Sequence, residues 1–219
     1  MNVVQDPGGD VGNDLVVTAF EAEQDAFTAL VQGLRPDEWD LPSLCPAWTI
    51  RDVVEHVAFH THRSGMRETF GSTEKHTALL VEREQAESTE GLIEWFTSPT
   101  PATTAESKVN LCELLIHQQD VRRVLGATRD YPEPTLSMCL DYCHSVSGNI
   151  FVVGRIRRLA RGLRLVASDM SWARGSGPEV IGTGEAVLMT IAGRSAALAD
   201  LTGSGVAVLA ERFETDRAA

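Results

Sequence analysis

Glu113 and His117 stand four residues apart in the run Glu113–Leu114–Leu115–Ile116–His117, and a second imidazole, His56, closes the earlier run Trp48–Thr49–Ile50–Arg51–Asp52–Val53–Val54–Glu55–His56. On a helix, a spacing of four brings two side chains onto one face, one turn apart. Two imidazoles and one carboxylate form the ligand set of a metal site that keeps a coordination position open for water or substrate. His56, Glu113 and His117 are therefore the candidate metal ligands. If they meet, the chemistry they support is metal-dependent catalysis.

The elements that must position them read as helices. Apolar residues at helical spacing predict helices over residues 14–34, from Thr49 to about 67, over 78–96, from about 105 to 125 and from about 136 to 153. Gly33 and Pro36 end the first, and a loop with Pro36, Pro42 and Pro46 follows. Thr49 is placed to cap the second helix, with Asp52 three residues on as an acidic capping-box partner. Ser98–Pro99–Thr100–Pro101 is a break, Gly126 stops the fourth helix, and Pro132 and Pro134 punctuate the next loop. After Gly162 the pattern changes to short segments. Residues 163–167 and 179–182 read as strands, 170–173 as an extension or partner of the first, and 184–192 and 196–201 as short helices. Residues 206–213 read as a strand in preference to a helix, because Gly205 precedes a Val/Ala/Leu alternation. The expected architecture is mainly α: a four- or five-helix bundle over residues 1–155, then a small C-terminal α/β domain over 160–219.

The fourth helix gives a stronger argument than spacing alone. Asn110, Glu113, His117 and Asp120 share one sector of roughly 80°, while Val109, Leu111, Cys112, Leu114, Leu115, Ile116, Val121, Val124 and Leu125 fill most of the rest. A helix apolar nearly all round is buried. A polar stripe on such a helix is costly unless its members are paired or bind a cation. His56 likewise sits among Val53, Val54, Val57, Ala58 and Phe59, with His60 one turn further as an alternative ligand and His62 close by. Plainer roles fit the same residues. His56 suits a hydrogen-bonded core position, Glu113 and His117 an intrahelical pair, and Asp120 a cap or a partner for Arg123 or Arg51. Residue pattern alone divides evenly between a metal and these roles. Cys45, Cys139 and Cys143 read as core, and His76 and His144 as surface or packing residues.

Composition narrows the class. The chain has 219 residues, 43% hydrophobic and 23% charged, with a formal charge of −12, ordinary values for a globular protein with a real core. Its pI is near 4.9. An acidic surface repels phosphate backbones and anionic lipid, so neither nucleic acid nor a membrane is an expected partner. No apolar run approaches the roughly 18–20 residues of a membrane span, and residues 1–13 lack the pattern of a signal peptide. The expectation is a cytoplasmic protein whose four cysteines are reduced; none forms a CxxC pair.

The run from Leu41 through Pro46–Ala47–Trp48 to His56 resembles the signature of the mycothiol-dependent maleylpyruvate isomerase family, a branch of the DinB-like metal-binding helical bundles. Glu113–Leu114–Leu115–Ile116–His117–Gln118–Gln119–Asp120, continuing to Gly126, is similar to its second signature. Gly177–Pro178–Glu179–Val180, Leu188 to Arg194 and Leu201–Thr202–Gly203 are similar to its C-terminal segment. Ala47 departs from the pattern, which usually has Gly there. The resemblance implies a DinB-like four-helix bundle and a divalent metal, commonly zinc, on His56, Glu113 and His117. It also implies mycothiol as thiol cosubstrate, an actinobacterial host and a small electrophilic substrate. A thiolate would add to that substrate as an isomerase or as an S-transferase. A non-catalytic metal-binding module and a metal-dependent hydrolase are the alternatives. Arg194, after Gly193 at the end of a short apolar helix, is the candidate catalytic arginine for the substrate, with a structural ion pair as its other role. Trp48 and Trp172 are candidates to line a pocket, Trp48 also to anchor helices.

Overall fold

The computed structural model describes residues 7–62, 88–98, 108–145 and 158–218, with the backbone alone described at some positions, His60 and His62 among them. The chain divides into two compact units, Met1–Leu125 and Gly126–Ala219.

The first unit contains four described helices: α1 (Pro7–Gln32), α2 (Ile50–His62), α3 (Thr89–Phe96) and α4 (Lys108–Leu125). α4 packs against α1 and α2, and α3 packs against the same two helices. The α1 face is built from Val16, Phe20, Glu23, Phe27 and Val31, all buried, at the three- and four-residue spacing of one helical stripe. Phe27 meets Phe96 of α3 edge-on, with ring centroids 5.2 Å apart. α3 is the described part of the predicted 78–96. Ser88 caps it in an extended conformation, its hydroxyl accepting the Gly91 N–H, so the helix starts at Thr89. Residues 63–67 and 78–87 of the predicted second and third helices lie outside the described residues.

The second unit holds α5 (Glu133–Ser145), then β1 (Arg164–Ala167), β2 (Trp172–Gly175), β3 (Glu179–Gly182), α6 (Gly184–Ile191), a 3-10 turn (Ser195–Asp200) and α7 (Val206–Ala218). The sheet order is β2-β1-β3. β1 pairs antiparallel with β2, Leu165 opposite Arg174, and parallel with β3, Leu165 opposite Val180. Gly177 takes φ 121° between β2 and β3, where a Cβ would strike the Gly162 carbonyl oxygen, so only glycine fits. α6 packs against β1, β3 and α5. That contact places α5 with the C-terminal unit, so the division follows Leu125, whereas the sequence pattern carries the helical part to 155. Residues 146–153 of the predicted fifth helix are outside the described residues.

The segment 206–213 is helical, against the expected strand. Leu209 and Phe213 are both buried and stand one helical turn apart. That period outweighs the local alternation. Arg212 ties the helix down by donating to the carbonyls of Leu159 and, at 2.7 Å, Arg161. The architecture as a whole is mainly α with a small three-stranded sheet in the C-terminal half. Among the described residues no helix is long and apolar enough to cross a membrane.

Candidate metal centre

α2 begins where the sequence predicts. The Thr49 N–H and hydroxyl donate to Asp52 Oδ2 at 2.8 and 2.7 Å, and the Asp52 N–H donates back to Thr49 Oγ1 at 3.2 Å. This reciprocal cap fixes the first turn, and His56 follows one turn after Asp52. Ile50, Val53, Val54, Val57 and Ala58 are buried around it. On α4, the run from Leu111 to Val121 is almost wholly buried, including His117, Gln118, Gln119 and Asp120.

The α2–α4 contact brings the three predicted ligands together. Glu113 Oε2 lies 3.3 Å from His117 Nε2 and 3.7 Å from His56 Nε2, and the three donor atoms all fall within 4.8 Å of one another. Zinc held tetrahedrally by bonds of about 2.0–2.2 Å needs donors about 3.3–3.6 Å apart, so the residues fit such an ion. The Glu113 side chain is 24% exposed against 12% for His56 and 7% for His117, the most accessible of the three.

Asp120 completes the arrangement. Its Oδ2 lies 2.9 Å from His117 Nδ1, and its side chain is fully buried. A carboxylate behind a metal-binding imidazole fixes the ring and its tautomer and raises its basicity. From sequence, Asp120 suits a cap or a partner for Arg123 or Arg51. Arg51 is found instead 3.5 Å from Glu55, against the Thr89 hydroxyl and over the Trp39 ring. The electrostatics follow from the packing. Burial pushes the Glu113 carboxyl up, but hydrogen bonds from His117 and His56, and their charge, outweigh it and hold the group well below its ordinary range. Burial pushes the His117 imidazole down, but Asp120 and Glu113 overcome this and raise it.

The loop before α2 forms one wall. The Trp48 ring centroid lies 4.7 Å from that of His56 and 5.9 Å from that of His117, at only 21° to the latter plane. Of the two tryptophans proposed for a pocket, Trp48 is thus at the site. Trp172 is a buried anchor of the second unit, donating to Asp141 Oδ1 at 2.9 Å. The loop is held by the Ser43 N–H and hydroxyl, both donating to the Trp48 carbonyl at 2.9 Å, and by the Leu44 N–H, which donates to the Asp120 carbonyl at 3.2 Å. Ala47 has φ 66°, the left-handed region that glycine occupies without strain. Cys45, expected in the core, is only half-buried, and its sulfur lies within 4.8 Å of donor atoms of His117 and Asp120. Nothing in the local pattern around Cys45 signals this approach. Asp120 was legible as a stripe member three residues from His117.

Arg194 belongs to the second unit. It precedes the 3-10 turn as its N-cap, and its Nη1 donates to the Ala192 carbonyl at 2.8 Å. His144 is half-buried and meets the Trp172 ring edge-on, with centroids 6.4 Å apart. The side chain of His60 and all of His76 lie outside what is described.

Comparison with known proteins fits this picture. Two uncharacterized proteins, from two strains of Mycobacterium tuberculosis, are each 46% identical to the chain over 39 residues, which is 18% of the chain and 21% of the relative. The match therefore spans only about a fifth of their length. The crystal structure of the mycothiol-dependent maleylpyruvate isomerase superposes with a TM-score of 0.61, and that of a histidine-to-alanine mutant with 0.63. Both are 15% identical, with 88% of this chain and 92% of the other covered, so the fold is shared across most of the chain. Residues 20–108 match the family model of the mycothiol maleylpyruvate isomerase N-terminal domain, a span that includes Trp48 and His56 and stops short of Glu113. Over that segment the chain is similar to the mycothiol maleylpyruvate isomerase N-terminal domain.

Proposed function

We propose that this chain is a metal- and mycothiol-dependent enzyme, an isomerase or thiol S-transferase acting on a small electrophilic molecule. The observation that supports it is the convergence of the His56, Glu113 and His117 donors within 4.8 Å, with Asp120 2.9 Å behind His117, in a chain whose residues 20–108 match the model of the mycothiol maleylpyruvate isomerase N-terminal domain. A divalent cation bound there, zinc by the nitrogen and oxygen donor set, supplies the charge that holds a thiol as thiolate at neutral pH.

The chain's own residues do the rest. His56 and His117 as neutral imidazoles and the Glu113 carboxylate would hold a dipositive ion at net charge +1, matched to one anionic sulfur. Asp120 keeps the His117 proton on Nδ1 and so keeps Nε2 available as a donor. Trp48 covers both rings and excludes water from that flank. The thiolate adds to the substrate's conjugated carbon–carbon double bond, the resulting single bond rotates, and expulsion of the same thiolate restores the double bond in the other configuration. In a transferase the adduct is the product. Arg194, half-buried as a residue, is the residue proposed to receive a substrate carboxylate. Mycothiol as cosubstrate fits a protein at work in an actinobacterial cytoplasm.

The test joins elemental analysis to turnover. Purified protein is assayed with a cis-configured conjugated keto acid and with an electrophilic chloronitrobenzene, with and without mycothiol, before and after chelation. Turnover that needs both cation and thiol is expected, with Arg194→Ala raising KM for the acid substrate. Retained metal with no thiol-dependent turnover would replace the proposal with a binding module. Thiol-independent ester or amide cleavage would replace it with a hydrolase.

A further inference from the structure

The His117 imidazole is engaged at both nitrogens. Nε2 faces Glu113 at 3.3 Å and Nδ1 faces Asp120 at 2.9 Å. The Asp120 side carries one more donor. Cys45 Sγ, a His117 ring nitrogen and an Asp120 carboxylate oxygen lie within 4.8 Å of one another. The two clusters differ in kind. His56, Glu113 and His117 offer only nitrogen and oxygen, whereas Cys45, His117 and Asp120 include a sulfur, and thiolate selects soft cations. They also differ in access to the sulfur. Cys45 is reduced and half-buried, while Cys112, Cys139 and Cys143 are reduced and buried. The sulfur is held in register with α4, because the next residue back, Leu44, donates its N–H to the Asp120 carbonyl at 3.2 Å.

We propose that Cys45, His117 and Asp120 form a second cation site, selective for thiophilic cations, that shares His117 with the first. On binding, the cation replaces the Cys45 thiol proton and the His117 Nδ1 proton. Both protons pass to solvent, sulfur–metal and nitrogen–metal bonds form, and nothing is oxidised or reduced. The shared imidazole then bridges two ions, one on each nitrogen. This site goes beyond the thiol-dependent reaction and does not depend on it.

Titration of the full chain with Cd²⁺ tests the site, reading the ultraviolet thiolate-to-cadmium charge-transfer band together with bound cadmium after gel filtration. Two equivalents and a band of one-thiolate amplitude are expected. Mn²⁺, a hard cation, is expected to give no second equivalent. Cys45→Ser, and Cys45→Ala as a second variant, should lose the band and one equivalent while keeping the other. His56→Ala should lose the other equivalent and keep the band. A parent protein with no band at saturation, or a band that persists without Cys45, overturns the proposal. Loss of the band in His56→Ala also overturns it, since Cys45 would then share a single ion with the first cluster. Mycothiol-dependent turnover of Cys45→Ser, measured in parallel, reports on the first site alone.

Discussion

α4 in the first unit and α6 in the second are both buried along most of their length, and the contrast between them separates structure from chemistry. In α6 the buried side chains are Ala186, Val187, Leu188, Met189, Thr190 and Ile191. The one hydroxyl, on Thr190, donates to the Ala186 carbonyl of its own helix at 2.8 Å. That buried hydroxyl is satisfied inside the helix, and the helix packs against β1, β3 and α5. In α4 the buried run includes His117, Gln118, Gln119 and Asp120. Gln118 reaches the Glu23 carbonyl of α1 at 3.1 Å and accepts from Arg122 at 2.6 Å, so that side of the stripe fastens one helix to another. His117 and Glu113 face α2. A buried polar group lowers stability unless it is satisfied, and here His117 lies between Glu113 and Asp120, with Glu113 also approaching His56.

Replacing a ligand gives the largest effect on this comparison. His56→Ala, and separately His117→Ala, should strip nearly all of the metal, read by elemental analysis, while circular dichroism shows the helices retained. Full occupancy in both variants would remove α4's special status. The mirror experiment on α6 is Leu188→Ala, fully buried. It should lower stability by about 2–5 kcal/mol in denaturant unfolding and leave the metal content of the folded protein unchanged. Asp120→Asn should weaken metal affinity by about 10–100-fold, measured by competition with a chelator; an unchanged affinity would reduce Asp120 to packing.

The pH response sharpens the contrast further. Glu113 is held below its ordinary 4.5, so its stabilising contribution is present above that value and is lost as pH falls through the lowered folded value. His117 is held above its ordinary 6.5, so its contribution is present below that value and is lost as pH rises through the raised one. For chelator-stripped protein the two together favour the folded state most between about pH 4.5 and 6.5. Cation binding needs neutral imidazoles and releases protons. Added cation should therefore raise the thermal midpoint increasingly as pH rises above that window. The smallest effect is at the loop. Ala47→Gly should relieve the left-handed backbone and raise stability by about 1 kcal/mol, with metal affinity unaltered.

The convergence of His56, Glu113 and His117 was legible because all three residues interrupt apolar helical patterns, and an interruption of that kind needs a partner. The Thr49–Asp52 cap was legible from local chemistry. Asp120 was legible as a stripe member but not in its pairing, since arginines at 51 and 123 compete for it on charge alone. Cys45 was not, because the approach of the 43–48 loop to α4 depends on a long-range hydrogen bond from Leu44 that leaves no local periodicity. The 206–213 segment misled for a related reason. Its alternation spans only a few residues, and burial of Leu209 and Phe213 on one helical face decided the outcome.

The position of Glu113 between two imidazole nitrogens has one more consequence. In chelator-stripped protein a proton on His117 Nε2 can lie between that ring and the carboxylate 3.3 Å away. Hydrogen thus serves as placeholder, keeping the three arms at working separation. Loading then becomes an exchange of protons for a cation at donor atoms that already converge.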